Sequence, residues 1–276
     1  MTYQELANKA NELRATVLQM VYRAQSGHAG GGLGMADVLT YLYYGGVLRH
    51  DPGRPAWPGR DRFLLSNGHT CPILYSILAD RGYLERDLLW TFRQLGSPLQ
   101  GHPSTGWTVP GVELSSGSLG HGLSVGLGQA LAARVTGADY RVFVSISDGE
   151  CQEGQPWEAA TAAVHHKVDN LCGILDWNRC QIDGPTPEVM DTGNLAGKFR
   201  AFGWHVQEID GHNYEEIERA FRAFEDVRGS GTPTLIACHN VLGKGVSFME
   251  GDYKWHHGAP SDEQLQQALA ELGVSG

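Results

Sequence analysis

Apolar residues recur at helical spacing from the start of the chain. Leu6, Ala10, Leu13, Val17 and Val21 share one face behind Thr2-Tyr3-Gln4-Glu5, which fits a capping box, so a long first helix is predicted. The pattern breaks in the glycine run Ser26 to Gly34 and resumes as a second helix from about Ala36. Continuous apolar runs then predict buried strands at Arg62–Ser66, Val142–Ile146, Leu171–Leu175, His205–Ile209 and Pro233–Cys238. Helical stretches fall between and after them. One leads from the Asn67–Pro72 loop to about Ala79, and one rich in small residues opens after Gly120. Others run from Pro156 to about His166, from Tyr214 to about Phe224, and from about Ser261 to the end. Strands alternating with helices predict an α/β fold: a doubly wound, mostly parallel sheet with helices on both faces. Such a sheet takes its ligand beyond the carboxyl ends of its strands. Residues 1–276 read as a single domain.

Composition narrows the class. A formal net charge of -10 argues against nucleic acid and anionic membrane surfaces as partners. Any phosphate site must then draw positive charge from a metal, backbone amides and a few basic side chains. The 5 cysteines contain no CxxC pair, which fits reduced thiols and gives no zinc signature. With no signal-peptide core and no run of about 18 apolar residues, a cytoplasmic protein is expected.

The chemistry concentrates in Ser147-Asp148-Gly149-Glu150-Cys151-Gln152-Glu153-Gly154, between a strand and a helix. Amides and a helix dipole there favour a phosphorylated ligand. Asp148 offers a carboxylate, and Asn178 brings an amide oxygen to the end of the neighbouring strand. With a backbone carbonyl, these suit octahedral magnesium completed by water and diphosphate oxygens. Asp-Gly and Asn are also ordinary turn residues, so the turn alone leaves both readings open. The glycines around His28 allow either close approach of backbone to a ligand or a flexible linker. His28, His69, His102 and His257 (or His256) lie in or beside glycine-bearing loops. Imidazole there can bind sugar hydroxyls and shuttle protons near neutral pH.

Taken in order, the motifs resemble those of the N-terminal, cofactor-diphosphate-binding domain of transketolases, thiamine-diphosphate enzymes that transfer two-carbon ketol units. The match runs through Ser26-Gly27-His28, Leu64-Leu65-Ser66-Asn67-Gly68-His69, Gly101-His102-Pro103 and Gly117-Ser118-Leu119-Gly120. It continues through Asp148-Gly149, Glu153-Gly154, Asp176 to Asn178, Gln181-Ile182-Asp183-Gly184, Gly243-Lys244-Gly245 and His257-Gly258-Ala259-Pro260. The resemblance implies that Asp148, Asn178 and the Cys180 carbonyl bind Mg²⁺ (or Ca²⁺ or Mn²⁺). It implies cofactor contacts at His69, Gly117, Ser118, Leu119, Gly149, Glu150, Asn178, Ile182, Leu242 and His257. It further implies a ketose-binding, proton-shuttling cluster of His28, His69, His102 and His257, and a place for Glu153 in an inter-subunit carboxylate network.

Some features depart from the family pattern. Ser147 replaces the glycine that usually precedes the Asp-Gly pair, and His121 stands where Gln is usual. The doublet His256-His257 leaves the alignment of the last histidine open by one. The pyrimidine-binding and C-terminal domains are absent, which implies a partner chain carrying them, most simply in an α2β2 heterotetramer. Ketose and aldose phosphates are the implied substrates; pentose phosphates, a branched-sugar phosphate and a sulfosugar all stay open. The alternatives are the α-subunit of a 2-oxo acid dehydrogenase and a non-catalytic subunit that keeps the fold.

Overall fold

A computed structural model describes residues 1–274. Helix α1 (Tyr3–Ala24) opens with the reciprocal Thr2–Glu5 capping box and buries Leu6, Ala10, Leu13, Val17 and Val21. Helix α2 (Gly30–Tyr44) follows, then strand β1 (Arg62–Leu65) and helix α3 (Cys71–Asp80). A long irregular passage leads to α4 (Gly122–Thr136), β2 (Val142–Ser147), α5 (Gln155–His165) and β3 (Leu171–Asp176). A small antiparallel hairpin, β4 (Cys180–Gln181) with β5 (Gly184–Pro185), turns at Ile182-Asp183. Helices α6 (Thr186–Met190) and α7 (Leu195–Ala201) come next; they are too short to show a clear apolar period and are not among the predicted elements. The chain closes with β6 (His205–Asp210), α8 (Tyr214–Asp226), β7 (Thr234–His239) and α9 (Asp262–Glu271).

The sheet has the order β1-β2-β3-β7-β6 and is parallel throughout. Successive strand residues face opposite ways, and both faces are covered. Phe63, Leu65, Phe143 and Ile174 join one core with α1, α2, α3, α8 and α9. Leu64, Val142, Val144 and Leu175 join a second with α4, α5 and α7. Double coverage is why the central strands read as unbroken apolar runs rather than alternating ones. Among the described residues no helix is long and apolar enough to cross a membrane.

One boundary differs from the sequence reading, and the difference matters for the site. Gly30 to Gly34 are neither a loop nor a linker: they form the first turns of α2, wholly buried. Glycine weakens a helix by about 1 kcal/mol per residue relative to alanine, and packing outweighs that here. A Cβ on Gly30 would meet the Trp255 carbonyl oxygen at 2.6 Å, and one on Gly34 the Val241 carbonyl oxygen at 2.9 Å. The close approach the glycines permit is between two stretches of this backbone. Gly243 N donates to Gly30 O and Gly258 N to Gly27 O, both at 2.9 Å, so the 241–258 segment is pinned along the start of α2.

Candidate active site at the carboxyl end of the sheet

The register places Ser147 beside Asp176, and Asp176 beside Cys238. The residues that leave β2, β3 and β7 therefore meet at one end. Asp148 is 1% exposed. Its carboxylate accepts from Gly149 N at 2.9 Å and from Arg179 N at 2.8 Å, with Arg179 held in the left-handed region at φ 61°. No cation pairs with it among the described residues. Burial pushes its acid up to about 6, against the backbone donors that favour the charged form. Asp176 lies behind it, accepting from Asn240 Nδ2 and Asn178 Nδ2 at 2.7 Å each. Burial raises Asp176 to about 7, with the neighbouring Asp148 adding to the rise. The Asn178 amide is thus oriented by Asp176, and its Oδ1 accepts from Cys180 N at 2.9 Å.

The histidines converge as expected, and a fifth joins them. Around His28, ring centroids lie at 4.6 Å (His257), 5.2 Å (His69), 5.5 Å (His256) and 5.9 Å (His102). His256 also packs on His69 at 4.9 Å. Burial and the neighbouring imidazoles hold His28 down to about 2 and His69 to about 3, so both are neutral near pH 7. His256 is shifted down by burial and by His257; His102 by partial burial and the Arg93 guanidinium. Nδ1 of His28 and Nδ1 of His256 are buried without a hydrogen-bond partner. The doublet thus divides its tasks: His256 faces inward and His257 sits exposed at the rim.

Other expected residues fall into different places. Gly117 packs on the His102 ring, with Ser118 and Leu119 beside it on the same loop. Ile182 is 59% exposed at the hairpin turn, whereas Leu242 is fully buried against Gly30. Glu150 does not face the open site. It is fully buried, and its carboxylate accepts from Ser66 Oγ, Gly120 N (2.8 Å) and Ser147 N (3.3 Å). Its position directly after Asp148-Gly149 suggests a ligand contact; its bonds make it a brace between three loops. Glu153 is exposed, with its Cβ against Gly120.

The family model for the transketolase thiamine diphosphate binding domain matches residues 6–275. The chain belongs to the transketolase family. It is 43% identical over 272 residues to a subunit of the apulose-4-phosphate transketolase of Phocaeicola vulgatus, covering 99% of this chain and 95% of that one. It is 40% identical to the 6-deoxy-6-sulfo-D-fructose transketolase subunit SqwG of a Clostridium species, covering 99% and 98%. The solved transketolase of Campylobacter jejuni superposes with a TM-score of 0.92 at 37% identity. This chain covers 44% of that structure, less than half of a full-length transketolase. The resemblance to transketolases thus holds, and with it the thiamine diphosphate-binding character of the domain; these relatives do not favour the 2-oxo acid dehydrogenase alternative. His256 is the histidine that sequence reasoning underweights, and its signal is the doublet itself.

The residues present suit a transketolase cofactor. The buried Asp148 carboxylate, with a raised acid constant and no paired cation among the described residues, and the Asn178 amide that Asp176 orients offer hard oxygen donors of the kind that divalent ions complete. The orphaned imidazole nitrogens point to polar groups of a bound molecule.

Proposed function

We propose that this chain is the N-terminal, diphosphate-binding subunit of a two-chain transketolase that moves a two-carbon ketol unit from a ketose to an aldose. The observation that carries the reading is five imidazoles converging at the sheet end where a buried, uncompensated Asp148 lies. The relatives named as transketolase subunits, matched nearly end to end, support the split arrangement.

In this reading Asp148, the Asn178 amide oxygen and the Cys180 carbonyl hold Mg²⁺ (or Ca²⁺ or Mn²⁺), which grips the diphosphate. Gly149, His69 and His257 flank it. Thiamine diphosphate held there would supply the nucleophilic carbon for two-carbon transfer. The protein orients the ketose and manages protons. A neutral imidazole both donates and accepts, so the inward nitrogens of His28 and His256 bind substrate hydroxyls. His102 and His257 at the rim take up and return the hydroxyl proton. Gly117, Ser118 and Leu119 lie beside the cofactor ring, and Ile182 and Leu242 add apolar contact. Glu153 meets the partner across the interface. In this reading the substrates carry an anionic end group, phosphate or sulfonate, as do apulose-4-phosphate and 6-deoxy-6-sulfo-D-fructose, for which the two relatives are named. The partner supplies the pyrimidine-binding domain, in an α2β2 cytoplasmic assembly.

Assaying the purified chain with thiamine diphosphate, Mg²⁺ and a panel of ketose and aldose phosphates tests the split. No transfer is expected from the chain alone, and transfer is expected once a pyrimidine-domain subunit is added. Robust turnover by the chain alone overturns the reading.

A further inference from the structure

Elements far apart in sequence meet at one buried carboxylate. Asp37, on α2, accepts from Arg14 Nη2 at 2.5 Å and Nη1 at 3.3 Å, from His212 Nδ1 at 2.8 Å and from Tyr214 Oη at 2.9 Å. Arg14 is itself buried, and its Nε donates to Leu33 O at 3.0 Å. Although burial opposes it, the Arg14 guanidinium and the His212 bond hold the Asp37 acid down to about 2, so Asp37 is ionised.

His212 lies in the turn between β6 and α8, and its other ring nitrogen faces a different element. Nε2 accepts from Val241 N at 2.9 Å. An ionised carboxylate can only accept, and a backbone amide can only donate. The two bonds therefore assign the ring as the neutral tautomer with its proton on Nδ1.

Val241 opens the segment that carries His256 and His257. Within it, Leu242 O accepts from Gly251 N at 2.9 Å. Gly243 N and Gly258 N tie the segment to Gly30 O and Gly27 O, and the second bond sets the doublet beside His28. Those bonds hold the middle and far end; His212 holds the start. Arg14 already compensates the Asp37 charge, so what the imidazole adds is its reach to Val241.

We propose that His212 is a positioning residue: seated on the Arg14–Asp37 pair, it holds Val241 and so sets where the His256–His257 doublet stands in the histidine cluster. The proposal rests on the transketolase reading above only for what the doublet does.

Two substitutions separate the two bonds of the ring. In His212→Asn the amide nitrogen takes roughly the place of Nδ1 and can still donate to Asp37, but Val241 N loses its acceptor. In His212→Gln the amide oxygen extends toward the place of Nε2 and can still accept from Val241 N. Measured on the full chain, the Asn variant should speed hydrogen exchange at the Val241 and Gly258 amides roughly tenfold. The Gln variant should stay near wild type. In the two-chain assembly, at saturating thiamine diphosphate and with a ketose phosphate it accepts, kcat should fall about tenfold to a hundredfold for Asn. It should largely recover for Gln. Equal exchange and equal turnover in the two variants overturn the proposal, because a ring that only fills space is lost in both. A change confined to the melting temperature overturns it as well. Nitrogen NMR of the wild-type ring needs no variant: Nδ1 should carry the proton and Nε2 none, and the opposite tautomer overturns the proposal. A wild-type assembly inactive with every donor overturns the transketolase reading instead, and hydrogen exchange then decides the positioning by itself.

Discussion

Two aspartates at opposite ends of the sheet have been treated in opposite ways. Asp61 precedes β1 and Asp148 follows β2; both are buried. Asp61 is surrounded by positive charge, pairing with Arg49 at 3.0 Å and Arg141 at 2.5 Å and accepting from both of their backbone amides. Those arginines reach on to Asp139 and Glu225. Although burial opposes it, the Arg141 bonds hold the Asp61 acid below its usual range. Asp148 has backbone donors and no cation among the described residues, and its acid is pushed up. Proximity of sequence to strand is the same in both cases, so the difference lies in what surrounds the carboxylate. At one end the buried carboxylate is matched by cations; at the other it has none among the described residues, at a cost to the fold.

The contrast between the two ends breaks most sharply at Asp148. Asp148→Ala should abolish Mg²⁺-dependent binding of thiamine diphosphate, a loss larger than the roughly 10–100-fold typical of groups that merely orient a metal ligand. The same change should leave the melting temperature of the unliganded chain unchanged or raised. Calorimetry on the full assembly reads the first, and near-normal affinity would remove Asp148 from the metal site.

Asp61→Ala is the mirror experiment. Leaving Arg141 buried without its carboxylate should cost about 3–5 kcal/mol, or roughly 10 °C in melting temperature. Cofactor affinity of the folded fraction should stay as it was. A drop in affinity without a drop in stability would erase the distinction between the two ends.

His102→Ala sharpens the contrast within the open end. Turnover should fall by about 10²-fold, the low end for a lost acid-base group, while cofactor affinity changes far less. Equal losses in both would move His102 into the cofactor site or make it structural.

The smallest effect is on pH. Asp148 and Asp176 have raised acids in the unliganded fold. The folded chain therefore binds more protons than the unfolded one between about pH 4 and 7, and its stability should decline as pH rises through that window. Asp61 has the opposite sign: its contribution is present above its unfolded pKa, near 4, and is lost as pH falls below that. Melting curves with and without thiamine diphosphate and Mg²⁺ check this; the decline should vanish in the loaded assembly.

The strands and the first helix were legible because unbroken apolar runs and helical spacing each have one physical reading at that length. The motif loops were legible as chemistry because Asp148, Asn178 and the histidines sit at element ends, where a parallel sheet collects them. The start of α2 was not legible: glycine propensity argues against a helix, and the stretch that reverses the argument, Val241 to Trp255, lies far along the chain. Glu150 misled for the same reason, since its bonds to Ser66 and Gly120 depend on loops that only tertiary folding brings together. His256 could not be separated from His257 by spacing, because only the backbone path after Trp255 decides which ring turns inward.

The pinning of the 241–258 segment onto Gly27 and Gly30 has a consequence for biosynthesis. His28 is made early, yet the backbone bonds that fix its loop require residues translated more than two hundred positions later. At about 5–20 residues per second, the ribosome spends roughly ten to fifty seconds between the two halves of one site. Until the last strand and its following loop emerge, the nascent chain has a sheet in progress and no fixed imidazole cluster. The backbone frame around His28 is therefore closed only after the 241–258 segment has emerged.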